Sequence, residues 1–233
     1  MLKPWYGIPI IDNKEELTLI PSSFKFINPH PYLKLGAPYK NKNFIWVLRK
    51  SVVDRLIMAN NYLQKISSDY SLIIYDSWRP LEVQSFMFYS VFKDECRKRN
   101  LNIPFNEMNA YPEILEKVNK FWAYPHEETS QPPPHSTGGA IDIGLSDDLG
   151  NLVEMGCEID FMDKTAKPDY YNKINSKNAI LWNSRRKLLK KIMIKFGFVQ
   201  HPNEWWHFSY GDQLWAWKNK NKNAIYGKKT LYG

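Results

Sequence analysis

Stretches with the periodicity of strands and of helices are mixed along the sequence, without the regular alternation that builds a parallel α/β sheet. Residues 71–78 are rich in β-branched and aromatic side chains, and residues 140–145 alternate between larger and smaller ones, as strands do. Residues 184–196 form a basic amphipathic pattern. Another set of apolar residues recurs at helical spacing: Val53, Leu56, Ile57, Leu63 and Ile66. This mixture predicts an α+β fold, with a mostly antiparallel sheet flanked by helices.

The chain has the length and apolar content of one domain. With 233 residues, 43% of them hydrophobic, it can bury a sizeable core, and no glycine- and serine-rich linker divides it. Residues 1 to about 43 are rich in proline and aromatic residues, which predicts an extended arm over the body. Residues from about 218 to 233 form a basic tail without an assigned role. We therefore expect a single domain over residues 1–233 with these two extensions.

The formal net charge of +8 raises nucleic acid or an anionic surface as a partner. The lysines are scattered, however, and no helix-turn-helix, zinc-finger or RNP-type motif accompanies them, so we predict no nucleic-acid partner. The first residues lack a long apolar run followed by small residues, which disfavours a signal peptide or membrane span. Cys96 and Cys157 lack CxxC spacing and are compatible with a reducing compartment. The predicted location is the cytoplasm.

Residues 131–142, QPPPHSTGGAID, bring a histidine and a carboxylate together. His135 follows three prolines that stiffen the chain, and Gly138 and Gly139 permit a tight turn into the strand that carries Asp142. Asp142 shares its face of that strand with smaller residues, so its carboxylate has room beside it. With a third donor from elsewhere, this pair would make an open tetrahedral zinc site. The alternative is a surface-turn histidine and a strand-edge aspartate.

A second acid and histidine lie downstream, in the segment NEWWH. Glu204 and His207 are three residues apart, so a regular strand would point them to opposite sides, and a bulge or turn is needed to bring both into one cleft. In that arrangement His207 binds the metal, and Glu204 takes a proton from a water whose pKa zinc lowers towards about 7. The alternative is an aromatic core strand with polar ends.

Together, HSTGGAID and EWWH resemble the D-Ala-D-Ala dipeptidase family, the VanX-like zinc peptidases related to DD-carboxypeptidases and Hedgehog-like domains. The family pattern, HxxGxAxD followed by ExWH, fits both segments without a gap. YDSWRP is similar to the family's YDxxRP segment, and MGCEIDFMD to its MGxxFDxF segment. The similar segments keep the same order from about residue 70 to residue 217. The resemblance implies a Hedgehog/DD-peptidase-like fold and a single zinc peptidase domain.

The resemblance also implies a metal centre with one Zn²⁺ per chain. Its ligands would be His135, Asp142 and His207, and Glu204 would be the general base. Arg79, in DSWRP, would bind the carbonyl oxygen that becomes the tetrahedral oxyanion. Without the resemblance, Arg79 is better explained as a helix-start arginine that pairs with Asp76 or Glu82.

Two substrate contacts follow from the resemblance. Asp160 would hold the free ammonium group of the substrate, and Ser136 would hydrogen-bond the substrate. A solvated loop acid and a turn cap are the alternatives. Many relatives carry a Ser-Arg-His-Ser-Arg-type run before the glycine, whereas residues 133–137 are Pro-Pro-His-Ser-Thr. That departure leaves the recognition of the substrate's ends open.

The implied activity is zinc-dependent hydrolysis of a short D,D-dipeptide, D-Ala-D-Ala, in peptidoglycan metabolism. One alternative is a carboxypeptidase or endopeptidase of the same architecture that acts on peptidoglycan stem peptides through an open groove. Another is a zinc-stabilised binding module without catalysis, against which the presence of Glu204 and Arg79 argues.

Overall fold

The computed structural model describes residues 3–101, 108–127 and 130–230. The strands are β1 (Leu17–Leu19), β2 (Lys25–Phe26), β3 (Val47–Arg49), β4 (Ser71–Asp76), β5 (Ala140–Ser146), β6 (Val199–Gln200) and β7 (His207–Ser209). The α-helices are α1 (Pro31–Lys34), α2 (Lys50–Ile66), α3 (Leu81–Arg97), α4 (Pro112–Phe121), α5 (Lys177–Lys195) and α6 (Gln213–Lys218).

The main sheet has five strands in the order β2-β4-β5-β7-β6, and β1 pairs with β3 in a separate two-stranded sheet. Within the main sheet β2 and β4 run parallel, and all the other neighbouring strands run antiparallel. The predicted α+β class with a mostly antiparallel sheet is therefore confirmed.

Helices α2 and α5 cover one face of the main sheet. Leu56 and Leu63 of α2 and Leu189 and Ile192 of α5 are fully buried in one cluster with the strand residues. A second cluster joins α3 to α4 through residues such as Phe88. Burying one such large apolar side chain contributes about 1.5–3 kcal/mol, so this packing holds the strands that carry the site. In the described part of the chain, no helix has both the length and the apolar character needed to cross a membrane.

The start of α5 differs from the sequence prediction, while its end agrees with it. Helix α5 begins at Lys177 rather than near residue 184, because the hydroxyl of Ser176 accepts a hydrogen bond from the Ala179 N–H and caps the helix. It ends before Gly197, whose φ of +88° is the left-handed conformation expected of a terminating glycine. Pro80 precedes α3 as its N-cap residue.

The described part of the N-terminal arm packs against the C-terminal third of the chain. Trp5 and Tyr6 are buried in a small cluster with Leu214 of α6. The Gln213 side-chain amide donates to the carbonyl oxygen of Ile8 at 2.7 Å and to that of Tyr6 at 3.3 Å. These contacts lay residues 5–8 of the arm against α6.

Candidate metal centre

The sheet register brings acidic and histidine residues of three strands side by side. Asp142 in β5 lies opposite Asp76 in β4 and opposite His207 in β7. Directly opposed residues of neighbouring strands point to the same face of the sheet, so their side chains meet. The sequence prediction that Asp142 and a distant histidine share one site depends on this pairing.

His135 reaches the same point from a 3-10 turn, Pro134–Thr137, that leads into β5. Gly138 follows with a φ of +74°, and a Cβ on Gly139 would lie 2.4 Å from the carbonyl oxygen of Tyr210. Glycine is required at both positions, at the first for its backbone conformation and at the second for close approach. The turn places His135 Nε2 3.2 Å from His207 Nδ1 and 3.3 Å from Asp142 Oδ2.

The donor set of His135, Asp142 and His207 fits zinc. One atom from each lies within 4.8 Å of the others, and His207 Nδ1 is 3.1 Å from Asp142 Oδ1. Ligands at about 2.0–2.1 Å from a tetrahedral zinc stand about 3.3 Å apart, which matches these separations. His135 Nδ1 donates to the carbonyl oxygen of Ser77 at 2.7 Å, so its Nε2 presents a lone pair to the other two donors. All three side chains are buried.

Glu204 lies beside this trio in the turn before β7. Because β7 begins only at His207, Glu204 lies in the turn and not in the strand. The turn allows the side chains of Glu204 and His207 to point into one cleft, which their spacing of three residues would prevent in a regular strand. Glu204 Oε2 lies 3.8 Å from His207 Nδ1, and Glu204 Oε1 lies 3.3 Å from His201 Nδ1. Burial raises the pKa of Glu204 well above its ordinary value, and the charge of Asp142 adds to the rise. Burial also lowers the pKa of His201, which is therefore neutral beside the acid.

Arg79 is buried at the cleft and held from several sides. Its Nη2 donates to Asp76 Oδ2 at 2.6 Å and to the Tyr32 hydroxyl at 3.2 Å. Its Nη1 donates to Gln84 Oε1 at 2.7 Å, and Nη2 lies 3.8 Å from Asp142 Oδ2. Arg79 therefore pairs with a neighbouring acid, as one interpretation from the sequence expects, and also faces Asp142. Its role at the oxyanion stays a prediction.

Asp160 and Ser136 occupy different environments. Asp160 lines the cleft, and its Oδ2 accepts a hydrogen bond from the Tyr32 hydroxyl at 3.0 Å. The Ser136 hydroxyl donates to the carbonyl oxygen of Arg79 at 2.9 Å. Ser136 is not among the residues that line the cleft, and its contact positions the Arg79 backbone. Its predicted contact with substrate stays a prediction.

The ionisation of Asp160 should make the metal-free protein less stable at higher pH. Burial raises the pKa of Asp160 from 3.8 to about 7, with Asp142 adding to the rise. Since the folded chain holds this proton more tightly than the unfolded chain, its stabilising contribution is complete below pH 3.8 and is lost as pH rises through about 7. We expect Asp160→Asn to remove this part of the pH dependence, and asparagine tolerates the residue's φ of +67°.

Urea unfolding with chelator at pH 5 and pH 8 measures this effect. The variant should gain stability relative to the wild-type chain as pH rises, while a matched substitution of an exposed acid, Asp148→Asn, should not. Equal pH dependence in Asp160→Asn and wild type would contradict the assignment.

The sequence prediction missed several residues that line the cleft. These are Lys3, Gln84, Phe121, Trp122, Ala123, Pro134, His201 and Trp206. His201 stands three residues before Glu204, so its spacing was a usable signal. Lys3 gave no signal, because a single lysine in an arm has no periodicity or motif around it. The cleft is small, with a cavity volume of about 40 Å³.

The fold and this cluster define a mixed α+β protein with a candidate metallopeptidase centre. Residues 27–225 match the family described as D-ala-D-ala dipeptidase, and the chain belongs to that family. It is similar to the D-alanyl-D-alanine dipeptidase of Synechocystis sp., at 39% identity over 239 residues, which cover 100% of this chain and 96% of the relative. The resemblance seen in the motifs is thereby confirmed.

Other relatives align over shorter stretches. The D-alanyl-D-alanine dipeptidase of Enterococcus faecium is 32% identical over 62% of this chain and 64% of its own length. That of Escherichia coli is 28% identical over 70% of this chain and 65% of its own length.

Among solved structures, VanYB in complex with D-Alanine-D-Alanine matches with a TM-score of 0.46 and 14% identity, over 78% of this chain and 83% of VanYB. The LdcB LD-carboxypeptidase matches with a TM-score of 0.44 and 17% identity, over 90% of this chain and 76% of LdcB. The D,D-pentapeptidase VanY in complex with Zn(II) matches with a TM-score of 0.45 and 16% identity, over 77% of this chain and 81% of VanY.

Proposed function

We propose that this chain is a zinc-dependent D-Ala-D-Ala dipeptidase with one Zn²⁺ held by His135, Asp142 and His207. The observation that carries the proposal is the convergence of these three donors beside Glu204, a buried carboxylate outside the trio. Family membership supports the reaction class. Zinc bound there supplies Lewis acidity, which lowers the pKa of water and polarises the substrate carbonyl.

Three residues around the trio, Glu204, Arg79 and Asp160, carry out proton transfer, oxyanion stabilisation and substrate binding. Glu204 takes the proton of the attacking water and delivers it to the leaving amine, since a raised pKa makes its carboxylate a stronger base. Arg79, kept rigid by Asp76 and Gln84, presents a fixed positive charge to the developing oxyanion. Asp160 binds the substrate ammonium, whose charge stabilises the ionised carboxylate.

The size of the cleft favours a dipeptide over a peptidoglycan stem peptide. At about 40 Å³ the cleft is far smaller than the groove of about 600 Å³ elsewhere on the surface, between α3 and the C-terminal segment. A small site keeps fixed countercharges close to both charged ends of a dipeptide, and burying these charges requires such countercharges. An endopeptidase would need an open groove across the metal centre.

Incubation of the metal-loaded protein with three substrates tests the proposed function. The substrates are D-Ala-D-Ala, L-Ala-L-Ala and a stem pentapeptide, each with and without chelator, and free alanine is quantified. We expect chelator-sensitive release from D-Ala-D-Ala and much less from the other two. Faster release from the pentapeptide would favour a carboxypeptidase, and no chelator-sensitive release from any of them would refute the hydrolase assignment.

The cellular setting is also proposed. Cys96 and Cys157 are both free, which supports a reducing compartment, and we propose the cytoplasm. We propose that the whole chain works as a single domain, because the described part of the N-terminal arm contributes Lys3 to the lining of the cleft.

A further inference from the structure

Lys3 is the part of the N-terminal arm that reaches the cleft. It is half-buried and lines the cleft together with Glu204 and His201. Two residues further on, the ring of Trp5 packs edge-on against His201 at 5.6 Å and lies 5.7 Å from the ring of Trp217. The arm is therefore anchored directly beside Lys3, so the position of this side chain is set by packing.

The Lys3 ammonium has no ion-pair partner among the residues that the structure describes. No carboxylate oxygen of residues 3–101, 108–127 or 130–230 lies within 4.0 Å of its Nζ, which stands 5.8 Å from the centre of the Trp5 ring. Burial lowers the pKa of Lys3 to about 8, against the opposing charge of Glu204, so most of the amine is charged at neutral pH. A half-buried cation without an ion-pair partner at the lining of a cleft is suited to an anionic ligand.

The other cation of the cleft, Arg79, is already engaged. Its Nε and Nη2 donate to Asp76, its Nη2 also donates to Tyr32, and its Nη1 donates to Gln84. A guanidinium has five N–H donors, so these four bonds leave one, on Nη1. One donor suffices for an oxyanion but not for a substrate carboxylate as well.

The covalent structure of a dipeptide fixes where its carboxylate must lie. The amine that leaves on hydrolysis and the free carboxylate belong to the same residue and are separated by one Cα, with about 2.5 Å between nitrogen and carboxyl carbon. Since Glu204 delivers its proton to that amine, the carboxylate lies on the Glu204 side of the cleft. Lys3 lies on this side, because Trp5 packs on His201, whose Nδ1 is 3.3 Å from Glu204 Oε1, and Lys3 lines the cleft with both residues. Asp160 instead accepts a hydrogen bond from the Tyr32 hydroxyl, to which Arg79 donates.

We propose that Lys3 binds the free carboxylate of the C-terminal residue of the substrate. This role rests on the proposed dipeptidase function and completes its charge pattern, with Asp160 at the ammonium end and Lys3 at the carboxylate end. Lys3 makes the enzyme select substrates whose scissile bond is followed by a single residue with a free carboxylate. The N-terminal arm is thus a determinant of specificity.

Kinetics with a charged and a capped substrate test this role. The substrates are D-Ala-D-Ala and D-alanyl-D-alaninamide, and the variants are Lys3→Met, Lys3→Arg and, as a matched control, Lys65→Met at an exposed position in the last turn of α2. We expect Lys3→Met to lower kcat/KM for D-Ala-D-Ala by about 10- to 100-fold, mainly through KM, because one charge-assisted hydrogen bond is lost. The amide should be unaffected, and Lys3→Arg should retain most of the activity.

A binding measurement gives an independent result. Calorimetry with D-Ala-D-Ala compares Glu204→Gln with Glu204→Gln/Lys3→Met, and the double variant should bind about 10- to 100-fold more weakly. Equal loss for both substrates, or unchanged KM and affinity, would overturn the role of Lys3. If the wild-type enzyme hydrolyses neither substrate, the proposed function fails, and calorimetry still decides the role of Lys3.

Discussion

Replacing Glu204 with glutamine lowers kcat for D-Ala-D-Ala by about 100- to 10,000-fold, the usual contribution of a general acid–base group. The amide keeps the size of the side chain but cannot take up and return a proton. Zinc content should stay near one ion per chain, because Glu204 is not one of the three converging donors. Steady-state kinetics and elemental analysis of the same preparation measure both quantities.

A matched control separates catalysis from a general loss of charge. Glu158 is an exposed acid near the cleft residue Asp160, and Glu158→Gln should leave kcat within about twofold of the wild-type value. A Glu204→Gln enzyme that binds zinc normally and keeps more than about a tenth of the activity would refute Glu204 as the base.

Hydrophobic periodicity predicts most of the helices and strands, because the periodicity of a segment depends on which of its faces is buried. The alternation in residues 140–145 predicted β5, and apolar residues at helical spacing predicted α2. The start of α5 was predicted late because the pattern considered was the amphipathic stretch, whereas the helix begins at the Ser176 cap. Trp205 and Trp206 are residue types typical of strands, but they lie in the turn before β7.

The geometry of the site was harder to predict because it depends on non-local pairing. His135 and Asp142 lie seven residues apart, and the turn between them could be inferred from Gly138 and Gly139. The approach of His207 is decided by the register of β5 with β7, which no local pattern specifies. Periodicity does not indicate which distant residues meet. The motif resemblance does, since it predicts that His135, Asp142 and His207 share one site, and the sheet brings these residues together.

Two contacts show where residue identity alone was insufficient. The Ser136 hydroxyl donates a hydrogen bond to the carbonyl oxygen of Arg79, a contact that no motif indicates, while its predicted contact with substrate stays a prediction. No motif or periodicity marks Lys3, yet packing of Trp5 on His201 places it at the cleft. A hydroxyl or an ammonium can serve many partners, and tertiary packing alone decides which partner it meets.

Replacing Arg79 with alanine should reduce both catalysis and stability. Loss of one fixed donor to the oxyanion lowers kcat by about 100- to 1,000-fold. Removal of the guanidinium also leaves Asp76 buried without its closest partner, which lowers the free energy of unfolding by about 3–5 kcal/mol. His30 Nε2 remains 3.3 Å from Asp76 Oδ1, so the lower end of that range is expected. Urea unfolding measures stability, and kinetics well below the transition measure catalysis.

Chemical rescue separates the two effects of Arg79→Ala. Methylguanidinium is small enough to enter the space left by the side chain, and it should restore part of kcat if the guanidinium acts on the reacting carbonyl. Arg97→Ala is the matched control, because Arg97 is an exposed arginine paired with Asp94 on α3 and should change neither quantity appreciably. Recovery of stability by methylguanidinium without recovery of kcat would make Arg79 a structural partner of Asp76 only, and the oxyanion would then need another donor in the cleft.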